Sequence, residues 1–350
     1  MRFIHSADIH LGAKIDSFPK EISEERKREV RNSFLRMVEF AKTEGIEVIM
    51  LSGDVFDRDK PYKKDVDFFY DVIGSNKNIH FLYLRGNHDL EGERREIDNL
   101  KTFSSQWTKY EYGDVVISGI ELTESNSRSM YSTLSLDEKK RNIVMLHGQI
   151  GEEINLVKLR DKNIDYLALG HIHIPNMQAE RLDGRGKYRY CGCLEGRGFD
   201  EVGKRGFFLL DIQNGKVAKE EFLTFSRREI VERAVDISAC RSYYDVEKTT
   251  LDGLSGVRRE DTVKVILQGR HSAGLKKDIP LLTARLSQNF FHVKVVDEAK
   301  ITIDFAAFQN DLSERGEFVR EVGRYAMNEE DRAEILDVGL KALAGEEIDL

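Results

Sequence analysis

Three cysteines in 350 residues, Cys191, Cys193 and Cys240, are too few to staple a secreted fold. Cys191 and Cys193 share one face of a strand-like stretch, YRYCGCLEG, with no further soft ligands nearby, so they read as buried thiols rather than a structural zinc site. Prolines number only four, and a chain with 40% hydrophobic and 33% charged residues is not a disordered one. No apolar run approaches the roughly 20 residues of a membrane helix. The N-terminus, MRFIHSADIH, enters strand and motif without a signal-peptide block, which points to the cytoplasm. A basic surplus is missing as well: 54 Lys plus Arg face 62 Asp plus Glu, and the net charge of −8 leaves room only for a local basic patch if the partner is a nucleic acid.

What the chain does have is five apolar runs that each end in a metal-ligand-type residue. FIHSA precedes Asp8, VIMLSG precedes Asp54, FLYLRG precedes Asn87, NIVML precedes His147 and YLALG precedes His171. With His10 and His173 these make seven oxygen and nitrogen donors, each where a buried strand would leave its sheet, and open α/β sheets carry their chemistry outside those strand ends. Two divalent ions held close together need a bridging group, for which Asp54 in GDVFD is the candidate. Asp8 and His10 lie on one loop, Asn87 offers a neutral carbonyl oxygen, and His147, His171 and His173 supply imidazoles. Mixed ligation of this kind suits manganese, iron or zinc better than magnesium or calcium. Two such ions outweigh the two carboxylates by about +2, which makes a phosphodiester a natural guest. His88, beside Asn87, is a candidate general acid, and Asp89 is expected to orient its ring and keep it protonated. The competing reading has His88 and Asp89 only brace their loop.

From Met1 to about Phe225 the pattern is α/β, with strands at 2–7, 46–52, 79–84, 115–119, 142–146 and 164–169. Helices are expected at 23–43, with Ser23 as N-cap and Gly45 just past the end, and at 63–73. Strand-like segments at 176–181, 187–193, 206–211 and 216–224, with turns at Asp183-Gly184 and Asn214-Gly215, suggest a second sheet packed on the first, hence a four-layered sandwich. Residues 226–300 read as a smaller α/β domain. Beyond 301, Phe305, Phe308, Leu312, Phe318, Val319 and Val322 suggest one amphipathic helix, and a second starts at Asn328 as N-cap and ends near Gly345.

HSADIHLG, GDVFDRDKP, LRGNHD, LALGHIH and YCGCLEGRGFDEVGKRGF together resemble the calcineurin-like metallophosphoesterases, and more closely the SbcD-type DNA-repair exonucleases, over roughly residues 1–212. The resemblance implies an αββα metallophosphoesterase domain at 1–225, a capping domain at 226–300 and a helical partner-binding tail at 301–350. It implies one ion held by Asp8, His10, Asp54 and His173, the other by Asp54, Asn87, His147 and His171, with manganese as the working metal. It further implies cleavage of DNA ends by a metal-activated hydroxide with His88 assisting the leaving group, in a homodimer bound to an SbcC-type coiled-coil ATPase. Archaeal and eukaryotic members carry histidine where this chain has Asp57, so a second catalytic histidine is not available there. Candidate phosphate contacts are Lys14, Arg58, Lys60, Lys63, Lys64, Arg94, Arg95 and Arg205, with Arg85 and Arg197 preferred for their loop positions and Asp57 facing the substrate. Trp107, Tyr188, Tyr190 and Phe199 are stacking candidates for which core packing is the alternative. A small-molecule phosphoesterase and a non-catalytic scaffold of the same fold remain the rival readings.

Overall fold

A computed structural model describes residues 1–58, 60–89, 95–213, 216–272, 274–302, 308 and 310–344, and the chain divides into two compact units, Met1–Glu229 and Ile230–Leu350. The first unit begins β1 (Arg2–Ser6), α1 (Lys20–Thr43), β2 (Val48–Ser52), α2 (Lys63–Ser75), β3 (His80–Leu84) and β4 (Leu100–Thr102). It continues β5 (Thr108–Tyr112), β6 (Val115–Gly119), α3 (Met130–Thr133), β7 (Arg141–His147) and β8 (Tyr166–Gly170), then β9 (Glu180–Arg181), β10 (Lys187–Tyr190), β11 (Gly206–Gln213) and β12 (Lys216–Thr224).

Two six-stranded sheets result, ordered β12-β11-β1-β2-β3-β4 and β5-β6-β7-β8-β10-β9. The central strands β1, β2 and β3 run parallel, as do β6, β7, β8 and β10. Buried on both faces, they carry near-continuous apolar runs such as VIMLS and YLALG instead of an alternating pattern. Phe3, Met50 and Leu82 of one sheet meet Ile143, Met145 and Ala168 of the other in a shared core. The first sheet's outer face is covered by α1 and α2, through Val30, Phe34, Met37, Val38, Val66 and Phe69. The second sheet's outer face packs under α3, a 3-10 turn at Leu156–Leu159 and loops.

The sheets are not partitioned as the sequence order suggests. The strands at 115–119, 141–147 and 166–170 build the second sheet, while β11 and β12 return to the first: β11 lies antiparallel to β1, with Ile4 opposite Leu209. Only β9 and β10 of the expected late sheet join the second one, and Asn214-Gly215 lies outside the described residues. Helix α1 starts earlier than expected. It follows Pro19, a residue with φ preset for the first turn, and the Ser23 hydroxyl donates to Ile15 O at 2.5 Å and Phe18 O at 3.0 Å instead of capping. Gly45, at φ +63°, ends it.

The second unit runs β13 (Ile230–Asp236), α4 (Tyr243–Gly253), β14 (Thr262–Gln268), β15 (Arg270–Ser272), α5 (Ile279–Leu286), β16 (His292–Asp297), β17 (Lys300–Thr302), α6 (Glu314–Arg324) and α7 (Glu329–Ala344). Strands β13, β14 and β16 are parallel, with Val235, Val246, Val263, Val265, Leu282 and Leu286 in their core. Ser242 and Asp245 form a capping box on α4. Leu312 is 96% exposed and precedes α6, whose cap is Ser313, so the expected amphipathic stripe begins later, at Phe318, Val319 and Val322; Phe305 and Gly345 lie outside the described residues. Asn328 accepts the Asp331 N–H at 2.8 Å at the start of α7. Among the described residues no helix is long and apolar enough to cross a membrane.

Candidate metal centre

Parallel strands put their carboxyl ends on one edge, and each donor sits at such an end: Asp8 and His10 beyond β1, Asp54 beyond β2, Asn87 beyond β3, His147 as the last residue of β7, and His171 and His173 beyond β8. The loops are cross-tied. Asp8 N–H donates to Gly53 O at 2.9 Å, His10 N–H to Asp54 O at 3.0 Å, and His171 N–H to the Asp8 carboxylate at 3.0 Å. Four donors are held in left-handed backbone, at φ 50° for Asp8, 52° for His10, 51° for Asp54 and 99° for His171. Such conformations cost of order 1–3 kcal/mol each and persist only where the surroundings enforce them. Glycine lets the loops close: a Cβ on Gly53 would fall 2.0 Å from His147 Nδ1, and one on Gly170 would fall 1.9 Å from Ser52 O.

The seven donors meet. Asp8, His10 and His173 form one group with ligand atoms mutually within 4.8 Å, and Asp54, His147 and His171 form a second. Asn87 Oδ1 joins the second, 3.0 Å from His147 Nε2 and 3.1 Å from His171 Nδ1. In the first group His10 Nε2 and His173 Nε2 are 3.1 Å apart. Two donors each about 2.1 Å from a shared ion at a right angle would stand about 3.0 Å apart, and these distances match that spacing. Asp54 Oδ2 lies between the groups, 3.3 Å from His147 Nε2 and 3.9 Å from His10 Nε2. The donor set therefore fits two divalent cations sharing one carboxylate.

The imidazoles are prepared from behind. Nδ1 of His10 lies 3.1 Å from Asp57 Oδ1, that of His147 2.9 Å from Ser52 O, and that of His173 2.8 Å from Glu201 Oε1. At His147 the Ser52 carbonyl accepts at Nδ1 and turns Nε2 toward the ion, while at His10 and His173 the carboxylates stand beside Nδ1, where His173 also meets Arg197 Nη2 at 3.0 Å. Burial pushes the Asp8 carboxyl up to about 6 and His10 down to about 4. Burial opposes both charges of the Asp54–His147 pair, yet their mutual hydrogen bond and attraction win, holding Asp54 well below the carboxylate range and raising His147 to about 9.

His88 sits at the edge of the centre. Its N–H donates to Asp54 Oδ1 at 3.0 Å, its ring centroid is 5.4 Å from that of His10, and its Nδ1 is 3.2 Å from Asp57 O. Asp89 does not orient that ring, contrary to the sequence expectation. It is buried and accepts from Val55 N–H at 2.9 Å, Gly86 N–H at 2.6 Å and Tyr83 O–H at 2.7 Å, bracing the β2 and β3 loops; burial, then the Asp54 charge, pushes it up to about 7.

Arg85 is bound by Glu121, with Nε–Oε1 at 2.9 Å and Nη2–Oε2 at 2.8 Å, and Arg197 by Asp57 and Glu201, so both preferred phosphate contacts are engaged by carboxylates. Asp57 likewise backs His10 instead of standing free for substrate. Arg205 is buried, Lys14 pairs with Asp16 and Arg95 with Asp67, and Arg94 lies outside the described residues. Arg58 stacks 4.7 Å over Tyr62, in a basic recess it lines with Lys14, Lys64, Arg28 and Arg31. Trp107 donates to Met130 O at 2.8 Å, Tyr188 and Tyr190 are buried, and Phe199 packs 5.1 Å from Phe18, so the aromatics serve packing. All three cysteines are free and buried. Glu201 escaped the sequence reading, since no spacing rule ties it to His173.

The family model for calcineurin-like phosphoesterases matches residues 1–175. The metallophosphoesterase YhaO of Bacillus subtilis is 27% identical over 304 residues, covering 77% of this chain and 72% of its own. The DNA double-strand break repair protein Mre11 of Aeropyrum pernix is 25% identical, over 81% of this chain and 75% of its own, and that of Sulfurisphaera tokodaii 23%, over 87% and 84%. A dimetal phosphatase from Danio rerio superposes with a TM-score of 0.44 at 12% identity, over 65% of this chain and 99% of that one.

Proposed function

Because the chain belongs to the calcineurin-like phosphoesterase family, we propose that it is a cytoplasmic two-metal phosphodiesterase that cleaves DNA, as exonuclease and endonuclease, in the processing of broken ends. The observation that carries the hydrolytic part is Asp54 Oδ2 standing between two donor groups at strand ends. Support for DNA comes from the Mre11 relatives, whose likeness covers up to 87% of the chain and so extends past residue 229 into the second unit. The SbcD-type motif series supports the same reading, and with it a homodimer working with a coiled-coil ATPase.

Asp8, His10, Asp54 and His173 would hold one ion and Asp54, Asn87, His147 and His171 the other; we assign manganese. Bound there, divalent ions neutralise the phosphate and acidify water. His88 delivers the proton to the departing oxygen: Asp57 O occupies its Nδ1, so Nε2 is the atom that carries it. Asp8, His10, Asp54 and His147 are buried and form the floor on which the phosphate would rest, and Asp89 keeps the His88 loop in register with Asp54.

The test offers the purified protein with manganese both linear duplex DNA and a chromogenic bis-phosphodiester. Cleavage of both is expected. Cleavage of the chromogenic ester alone refutes the DNA assignment and returns the chain to small-molecule chemistry, while two bound metals with no cleavage of either would revive the scaffold. Recovery of a long coiled-coil ATPase with the protein from native extract tests the partner, and its absence removes that part.

A further inference from the structure

Arg197 lies in the loop after β10, half-buried, between two carboxylates that each back one imidazole. Its Nη1 is 3.0 Å from Asp57 Oδ1, and that same oxygen is 3.1 Å from His10 Nδ1. Its Nη2 is 2.8 Å from Glu201 Oε1 and 3.0 Å from His173 Nδ1, and that same oxygen is 2.8 Å from His173 Nδ1. Its Nε also donates to Glu201 Oε1 at 3.2 Å, and its backbone N–H to Oε2 at 2.6 Å. On the far side of the two rings, His10 Nε2 and His173 Nε2 converge to 3.1 Å. One planar group thus spans both supports of a pair of donors that come from opposite sheets.

We infer that Arg197 is a positioning residue for the ion at Asp8, His10 and His173, not a phosphate contact. The inference rests on the metal-centre reading above. Asp57 and Glu201 follow different strands, so no local backbone fixes their separation, and the rigid fork of the guanidinium sets it. Each shared oxygen then lies between a guanidinium N–H and an imidazole nitrogen, which restrains the carboxylate's rotation and, with the direct Nη2 contact to His173, the orientation of the rings. The hydrogen bonding points the same way. Nε, Nη1 and Nη2 are all engaged by the two carboxylates, so the fork is taken up inside the protein instead of being presented to a phosphate. Lysine, a flexible point charge, would pair with the carboxylates without fixing their separation.

The experiment uses the full chain, with manganese binding followed by calorimetry and by electron paramagnetic resonance of the bound ion, and the metal-free melting temperature as a folding control. Wild type is expected to bind two ions. Arg197→Gln should weaken one of them by about 10- to 100-fold and leave the other, with an altered spectrum for the weakened ion. Arg197→Lys should recover part of the affinity. Glu201→Gln should weaken the same ion, and combining it with Arg197→Gln should cost less than the two losses multiplied, because the residues act through one network. At saturating manganese kcat should return toward wild type with KM for DNA unchanged. Unchanged affinity for both ions in Arg197→Gln, with only KM raised, overturns the inference and restores the phosphate contact, and strictly multiplicative losses overturn it too. Should Arg197→Gln fail to fold, Glu201→Gln and Arg197→Lys decide it by the same readouts. A wild-type protein that binds no manganese removes the metal centre itself and this inference with it, whereas two ions in wild type with an indifferent Arg197 removes only the latter.

Discussion

Adding a single methyl group at Gly86 is the most direct probe of how tightly the centre is built. Gly86 does not require left-handed backbone, so alanine there is a steric change alone. Its Cβ would lie 2.1 Å from Asp54 Oδ1, 2.7 Å from Asp54 N and 2.7 Å from His147 Nε2. A relaxed heavy-atom contact is roughly 3.5 Å, so all three neighbours must yield. Rotating the Asp54 side chain relieves one clash and leaves the backbone one, which forces the β2 or β3 loop to move. Overpacking of this kind costs about 1–3 kcal/mol. In a unit spanning Met1–Glu229 that corresponds to a melting temperature lower by roughly 2–12 °C. The larger consequence falls on metal binding, because Asp54 serves both donor groups. Manganese at about a hundred times its dissociation constant should stabilise wild type by roughly 2.7 kcal/mol, and Gly86→Ala should lose most of that increment. Gly184→Ala is the control: its Cβ meets nothing within 4 Å, and its φ is not left-handed. Thermal melts with and without manganese, alongside metal analysis, decide the matter. If Gly86→Ala melts with the Gly184→Ala control and binds two equivalents, the close approach of these loops is wrong.

Three further outcomes are expected. His88→Gln should keep both ions, because its hydrogen bond to a donor is made by its backbone N–H to Asp54 and survives the substitution, while kcat falls by about 10²–10⁴; loss of metal on elemental analysis would reassign His88 as a ligand. Asp54→Ala should drop manganese from two equivalents toward none and leave His147 without its ion-pair partner, and an ion retained at full affinity would show that the carboxylate is not shared. His5, wholly buried against Tyr166, is pushed by burial down to about 3. Its unfolded form takes up a proton below about 6.5 while the folded form does not, so stability is lost as pH falls from about 6.5 toward 3, by up to about 1.4 kcal/mol per pH unit. His5→Gln, which can still pair with the Tyr166 hydroxyl, should flatten that slope in urea melts at pH 7 and pH 5; equal slopes in both proteins would refute the assignment.

Five of the seven donors were legible because two local signals coincide in each, a residue type able to bind a cation and a preceding apolar run that says a buried strand has just ended; His10 and His173 were legible as their neighbours two residues on. The sheets were less legible. A strand's apolar pattern reports burial but not its neighbour, and β11 pairs with β1 across most of the first unit, Arg2 opposite Asp211. The same limit applies to polar partners. Arg85 and Arg197 look like phosphate contacts when only their own loops are considered, and it takes the folded chain to bring Glu121 against Arg85 and Asp57 against Arg197. Asp89 was read by its neighbour in sequence, His88, while its carboxylate turns the other way, to Tyr83 and to the Val55 and Gly86 N–H groups.

That division has a physical basis in how the centre is held. The left-handed backbone at Asp8, His10, Asp54 and His171 falls on residues with side chains, where glycine would adopt it without strain. Asp and His tolerate it better than most side chains, but no spacing in the sequence announces it. The conformations are stable only because the loops hydrogen-bond to one another, Asp8 to Gly53, His10 to Asp54 and His171 back to Asp8, and because glycines at 53, 86 and 170 allow the approach. Cations would add a second restraint on the same atoms, since each donor group gathers lone pairs and negative charge at one point. The centre is therefore written twice, in donors that a linear reading can find and in loop contacts that enforce their geometry and appear only once the strands have found their order.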